Sequence, residues 1–288
     1  MKQKMKQRRS SWGGIMLCIV VLALLAVGCG SRQKKEQATS KSEDQGQSSS
    51  ETAGRQTVTL TLAAAASLKT VFEEELIPLY EKTHPNIKIE ATYDSSGKLQ
   101  NQIEQGLQAD IFFSAATKQM TALAEGGFVA EADIVSLLEN RVVLIQPKTA
   151  SDKLTSFQEL QDIELLAIGD PASVPAGQYA QKVLTSLGLW DGLQDRLSLA
   201  TNVTEVLQWV EAGSAPAGIV YATDAAHSDQ VRVVAEADRS SLEQPVIYPV
   251  TVLKAAAHRE EAMEFVDFLH SPEAIAVFEG VGFTKVKE

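Results

Sequence analysis

From Thr57 onward the chain switches between two hydrophobic periods. Val58, Leu60 and Leu62 alternate with Thr59 and Thr61, which predicts a strand over 58–62. Leu68, Val71, Phe72, Leu76, Leu79 and Tyr80 then recur at helical spacing, with acids and lysines opposite, and Pro85 closes that helix region. Residues 87–93 alternate again as a half-buried strand, and Leu99, Ile103 and Leu107 mark one face of the next helix. Ile111-Phe112-Phe113 predicts a short, fully apolar strand, and 117–124 a helix that stops at Gly126-Gly127. Strand, helix, strand, helix implies parallel pairing with helices on the faces.

A second series begins at Arg141. Strands are predicted over 142–145, 165–169, 217–221 and 231–234, with helices over 179–187 and along the stripe Val203, Val206, Leu207, Val210. Residues 246–253 return extended, and Ala262, Phe265, Val266 and Leu269 open a last pair of helices interrupted at Ser271-Pro272. The expectation is an α/β protein of two lobes. Lobe 1 comprises 56–142 plus 246–288, and lobe 2 comprises 143–245. Two crossing strands, near Arg141–Val143 and near Val246–Tyr248, form the hinge. Hinged α/β lobes are an architecture for capturing solutes.

The beginning of the chain reads differently. Lys2, Lys4, Lys6, Arg8 and Arg9 precede an apolar run from Ile15 to Val27. Thirteen residues are short of the ~20 that a membrane-spanning helix needs. A basic start, a short apolar core and small residues make an export signal over 1–28. Ala26-Val27-Gly28-Cys29 resembles a bacterial lipobox, with Cys29 as the lipidated (palmitate-bearing) residue; Ala26 stands where such boxes usually carry Leu. The other reading is an uncleaved signal anchor with Cys29 an ordinary thiol. Residues 29–55 are then the lipidated cysteine and a tether rich in Ser, Gln, Lys and Glu, which buries too little to offset its ordering entropy. Such a tether reaches ~25–30 Å from the membrane.

Composition adds exclusions. Both cysteines, Cys18 and Cys29, precede the globular part, so no disulfide or thiolate metal site is expected within it. The 26 basic and 37 acidic side chains give a net charge of −11, and loss of residues 1–28 takes it to −16. That balance excludes nucleic acid as a partner and leaves membrane attachment to the lipid. His84, His227, His258 and His270 share no ligand spacing, and no nucleophile elbow, Walker loop or dinucleotide fingerprint occurs. Neither an enzyme nor a cofactor site is expected.

The informative positions follow the strands. Ala64-Ala65-Ala66-Ser67 follows the first strand, Ser95-Ser96-Gly97 the second, and Asp170-Pro171 with Val174-Pro175-Ala176-Gly177 the strand ending at Gly169. Asn202-Val203 opens a helix, and Tyr221 ends a strand. Ligands of open α/β sheets bind at the carboxyl ends of strands. Helix starts there offer free N–H groups and about +0.5 of an elementary charge, an anion site without Arg or Lys. Donors alone suit a fully ionised oxyanion, because one that keeps a proton needs an acceptor. Each position also has an ordinary reading: Ser67 and Ser96 as helix N-caps, Ala176 as a helix start after Pro175, Tyr221 as packing, Asp170 as a turn former.

At these strings the sequence resembles the molybdate-binding protein of bacterial molybdate ABC importers, in its lipoprotein form. The matching pieces are Ala64-Ala65-Ala66-Ser67-Leu68, Ser95-Ser96-Gly97-Lys98-Leu99 and Ala109-Asp110-Ile111-Phe112-Phe113-Ser114-Ala115. Collinear with them are Gly169-Asp170-Pro171, Val174-Pro175-Ala176-Gly177, Ala215-Pro216-Ala217-Gly218-Ile219-Val220-Tyr221 and Gly282-Phe283. The resemblance implies a periplasmic-binding-protein type II fold that holds molybdate or tungstate between its lobes, with molybdenum present only as the oxyanion. It implies that Ser67 and Ser96 donate hydroxyl and N–H, Ala176 and Val203 donate backbone N–H, and Tyr221 donates its phenol. Gly97 replaces a hydroxyl residue of the family, which leaves Ser95 and Ser96 as alternatives for one ligand. The implied setting is a monomer, lipid-anchored on the extracytoplasmic face of the cell membrane, that delivers its ligand to an ABC permease driven by a cytoplasmic ATPase. A binding protein for sulfate or phosphate is the alternative within the class. An extracytoplasmic enzyme on the same fold and an adhesive module are the alternatives outside it.

Overall fold

The computed structural model describes residues 57–287, so the export signal, Cys29 and the tether lie outside the described residues. Among the described residues eleven strands form two sheets. The first sheet contains β1 (Val58–Ala65), β2 (Ile87–Asp94), β3 (Ile111–Phe113), β4 (Val135–Asn140), β10 (Val246–Val252) and β11 (Thr284–Lys285). Its order is β11-β4-β10-β3-β1-β2. The second contains β5 (Val142–Pro147), β6 (Leu166–Gly169), β7 (Leu197–Ala200), β8 (Gly218–Tyr221) and β9 (Val231–Glu236), in the order β7-β6-β8-β5-β9.

Parallel pairing holds where helices connect the strands. β1 is parallel to β2 and β3, and β6 to β7 and β8. It fails around the passage between sheets, where β10 runs antiparallel to β3 and β4, and β5 antiparallel to β8 and β9. The reason is the short path. β4 ends at Asn140 and β5 starts at Val142, so the chain enters the second sheet with no helix to reverse it. The return path, residues 237–245, is a connection with one 3-10 turn at Arg239–Ser241. It runs beside the outgoing path, because Ala237 N–H donates to Val142 O at 2.9 Å and Val246 pairs with Asn140.

The periodic segments become the expected elements, with three strands added. β4 loses its alternation at Leu137-Leu138, and β7 and β11, of four and two residues, are too short to show a period. In β4, Leu137 and Leu138 are both buried although neighbours, because its two faces are both covered. The first helical segment, 66–83, accommodates Pro78 through a wide turn of π-helix at Phe72–Leu76 directly before it, which relieves the clash and missing N–H that proline brings. Leu107 lies beyond its helix, which ends at Glu104. The core of the first sheet centres on Phe72, which meets Phe113 edge-on at 5.9 Å and Phe278 at 6.0 Å. Val206 and Val210 press on the second sheet, fully buried with Leu144, Ile168 and Ile219.

Candidate functional site

β1, β2, β6 and β7 each hand their chain to a turn or helix start. β1 runs into a 3-10 turn, Ala66–Leu68, that presents Ser67. β2 runs into Ser95 and the helix Ser96–Glu104. After β6, Asp170 builds a turn: its carboxylate accepts from Ala172 N–H at 2.9 Å and its carbonyl from Ser173 and Val174 N–H. Asp170 is therefore a turn former. The helix Pro175–Ser186 follows, with proline in its first turn and Ala176 beside it. Gly177 lets this helix start sit against β6, since a Cβ there would lie 1.9 Å from Gly169 O. After β7, Asn202 caps the helix Val203–Glu211 by accepting from Glu205 N–H at 3.0 Å.

These ends converge. Ser67, Ser96, Ala176, Val203 and Tyr221 line one small cavity of about 10 Å³, together with Ala65, Ala66, Ser95, Ala115, Val174 and Pro175. None of these eleven residues is charged. The first N–H groups of the 3-10 turn and of the three helices have no acceptor within their own helices. Ala115 was not singled out from sequence, though the same rule finds it, since Ser114-Ala115 follows β3. A wider groove of about 610 Å³, open along one side, lies elsewhere along Thr117, Lys118, Gln178 and Lys182. Its charged rim and its size suit it poorly to a small anion.

The helix N-cap reading of the two serines is overturned. Ser67 Oγ is 2.9 Å from the Tyr248 hydroxyl, across 181 residues of sequence. Ser96 is the first residue of its helix, and its Oγ accepts from Ala115 N–H at 2.9 Å, leaving its own hydrogen to donate. The residue in the cap position is Ser95, whose side chain makes no capping bond. Its hydroxyl is buried without a partner at the cavity wall. A buried orphan of this kind calls for a ligand or water. Both members of the Ser95/Ser96 alternative thus face the cavity.

Tyr221 is fully buried, and its hydroxyl lies 3.4 Å from Ala115 O. That distance is at the limit of a hydrogen bond, so a nearer acceptor in the cavity can take the proton instead. Burial pushes the Tyr221 and Tyr248 phenols well above their ordinary value and Tyr179 up to about 12. All three remain protonated at neutral pH. Burial also raises the Asp224 carboxyl to about 7, opposed by the Tyr221 N–H that donates to it at 3.2 Å. Among the described residues no cluster of His, Cys, Asp or Glu is arranged to hold a metal ion. Nor is any described helix long and apolar enough to cross a membrane.

Comparison with known proteins gives a consistent answer. Residues 60–284 match the family model described as bacterial extracellular solute-binding protein. The chain is 44% identical over 211 residues to YvgL of Bacillus subtilis, covering 73% of this chain and 81% of that one; the name of YvgL describes an ABC transporter substrate-binding lipoprotein. It is 37% identical over 225 residues to the molybdate-binding protein ModA of Haemophilus influenzae, covering 76% of this chain and 88% of the relative. The solved periplasmic molybdate-binding protein of Azotobacter vinelandii superposes with a TM-score of 0.71 at 23% identity, over 79% of this chain and all of that one, which shows the shared fold.

Proposed function

Because the chain belongs to the bacterial extracellular solute-binding proteins, substrate-binding proteins of ABC transporters and not enzymes, we propose that it captures molybdate, and tungstate with it, in the cavity between its sheets. The observation behind this is the lining: eleven neutral residues, with hydroxyls and helix-start N–H groups gathered around one small cavity. Ser67, Ser96 and Tyr221 donate hydroxyls, and Ala176 and Val203 donate backbone N–H groups. Ser95 stands ready as a further hydroxyl. An MoO₄²⁻ ion accepts at every oxygen and needs no acceptor from the protein. Hydrogen phosphate carries a proton that this lining does not meet with a carboxylate. The helix starts add favourable potential with no counter-ion to release.

The rest of the reading concerns delivery. Cys29 carries a lipid that holds the protein on the extracytoplasmic face of the membrane, and a monomer passes its ligand to the permease. The lipobox-like Ala26-Val27-Gly28-Cys29 supports this, as does the 44% identical relative named as a lipoprotein.

The test is mass spectrometry under non-denaturing conditions on protein purified without added anion, followed by titration with molybdate, tungstate, sulfate and phosphate. One molybdate or one tungstate per chain is the expected result, with sulfate and phosphate far weaker. An equal response to sulfate would move the assignment to the smaller oxyanions.

A further inference from the structure

Ser67 is one end of a buried hydrogen-bond chain whose direction the geometry sets. The other end is Asn140, the last residue of β4, at the passage between the sheets. Its Oδ1 accepts from Arg141 N–H at 2.8 Å, which orients the amide, since the reverse orientation would set two N–H groups against each other. The Nδ2 amino group then has two hydrogens to give. One goes to Thr223 Oγ1 at 2.9 Å and the other to the Tyr248 hydroxyl at 3.3 Å. Tyr248 is fully buried; Asn140 Nδ2 and Ser67 Oγ lie within bonding distance of its hydroxyl, and the Tyr221 hydroxyl stands beside it. Its one hydrogen is buried and needs an acceptor, and Ser67 Oγ at 2.9 Å is within bonding distance to take it. Ser67 therefore accepts on its buried side and turns its own hydrogen to the cavity that it lines.

We propose that Tyr248 and Asn140 are positioning residues that make the Ser67 hydroxyl an obligate donor, and so help the site refuse oxyanions that carry a proton. The proposal rests on the oxyanion reading above. Without this chain a serine hydroxyl can turn either way, giving a proton to molybdate or accepting one from hydrogen phosphate. With it, only the first is open. The same chain ties the donor to the junction, because Asn140 belongs to the first sheet and Thr223 follows β8 of the second.

Two variants test this. Tyr248→Phe removes the hydroxyl and keeps the ring, which packs edge-on against Tyr221 at 5.6 Å and Phe283 at 5.1 Å. Asn140→Asp keeps the shape but replaces a donor by an acceptor. Tyr248 then donates to the new carboxylate and Ser67 donates to Tyr248, presenting lone pairs to the cavity. Binding of molybdate, sulfate and hydrogen phosphate is measured for each by calorimetry, with ligand-free melting alongside. Sulfate is the control, because it has no proton at neutral pH and responds to added charge and to loosened packing as molybdate does. In both variants hydrogen phosphate should gain about tenfold relative to molybdate, the worth of one misdirected hydrogen bond to a charged group. The sulfate-to-molybdate ratio should hold. A melting loss with the phosphate-to-molybdate ratio unchanged in both variants would reduce the chain to a structural role and overturn the proposal. Should Tyr248→Phe fail to fold, Asn140→Asp alone decides. Failure of the wild type to bind molybdate would refute the oxyanion reading instead, and is seen before either variant is made.

Discussion

The N–H of Gly97, in the first turn after β2, donates to the carbonyl of Ser173, in the turn after β6, at 2.9 Å. It is a backbone bond between the two sheets' connecting turns, and it is possible because position 97 has no side chain. A Cβ there would lie 2.4 Å from Ser173 O and 2.8 Å from its Cα. Backbone cannot swing aside as a long side chain does. Gly97→Ala should therefore hold the sheets apart. Overpacking costs about 1–3 kcal/mol, so molybdate affinity should fall about five- to a hundredfold. Each sheet should keep its fold, since the clash lies between them. Calorimetric titration beside small-angle scattering checks this; unchanged affinity would mean that the Ser173 turn yields without cost.

Ser67→Ala and Tyr221→Phe each remove one proposed ligand hydroxyl and little volume. A hydrogen bond to a charged group contributes ~1.5–3 kcal/mol, so each change should weaken molybdate binding by roughly ten- to a hundredfold. Their effects on ligand-free stability should differ. Ser67→Ala leaves the hydrogen of the buried Tyr248 hydroxyl without its acceptor, at a cost of about 1–3 kcal/mol. Tyr221→Phe gives up only a 3.4 Å contact and should cost less. Denaturant unfolding without ligand, and titration of the same two variants, measure both halves.

Asp224 makes stability depend on pH. Its carboxyl rises to about 7 in the folded protein from an ordinary value of 3.8, because it is buried. Between those values the folded chain holds a proton that the unfolded chain has released, so raising the pH favours unfolding. Its contribution is complete below about pH 4 and is lost as the pH climbs through about 7. Unfolding midpoints measured across that window should fall with pH, and Asp224→Asn should flatten the slope. A slope that survives the substitution would place the titration elsewhere.

Cys29→Ala tests the anchor apart from the site. The variant should lose membrane fractionation and the lipid-dependent shift in migration, while its affinity for molybdate is unchanged. Wild-type fractionation of Cys29→Ala would leave the uncleaved signal anchor as the better reading.

Much of this was legible in the residues. Hydrophobic period depends only on which face of an element meets a core, so β1, β2 and the helices at Ser96 and Val203 could be read locally. β4 could not, because burial on both faces erases alternation at Leu137-Leu138. Nor could β7, an edge strand whose Leu199 is half exposed. The candidate site was legible for a related reason. Strand ends and helix starts are local features, and small residues and hydroxyls at them mark where backbone donors stay free. Those features marked the positions, and the resemblance to the molybdate-binding proteins then singled out Ser67, Ser96, Ala176, Val203 and Tyr221 among them.

Partnership could not be read in that way. Nothing near Ser67 in the chain points to Tyr248, and nothing near Gly97 points to Ser173. Whether a serine caps a helix or answers a tyrosine depends on what lies against it once both sheets are assembled, and the local sequence is the same in either case. The sequence by itself determined most of the elements, the small and neutral residues at the strand ends and the absence of cysteine from the globular part, because each is a property of residue type and spacing. Tertiary structure alone decided which hydroxyl faces which partner, how closely the two sheets approach, and how far burial raises Asp224. Those depend on distances between segments that the chain does not connect directly, and only packing sets such distances.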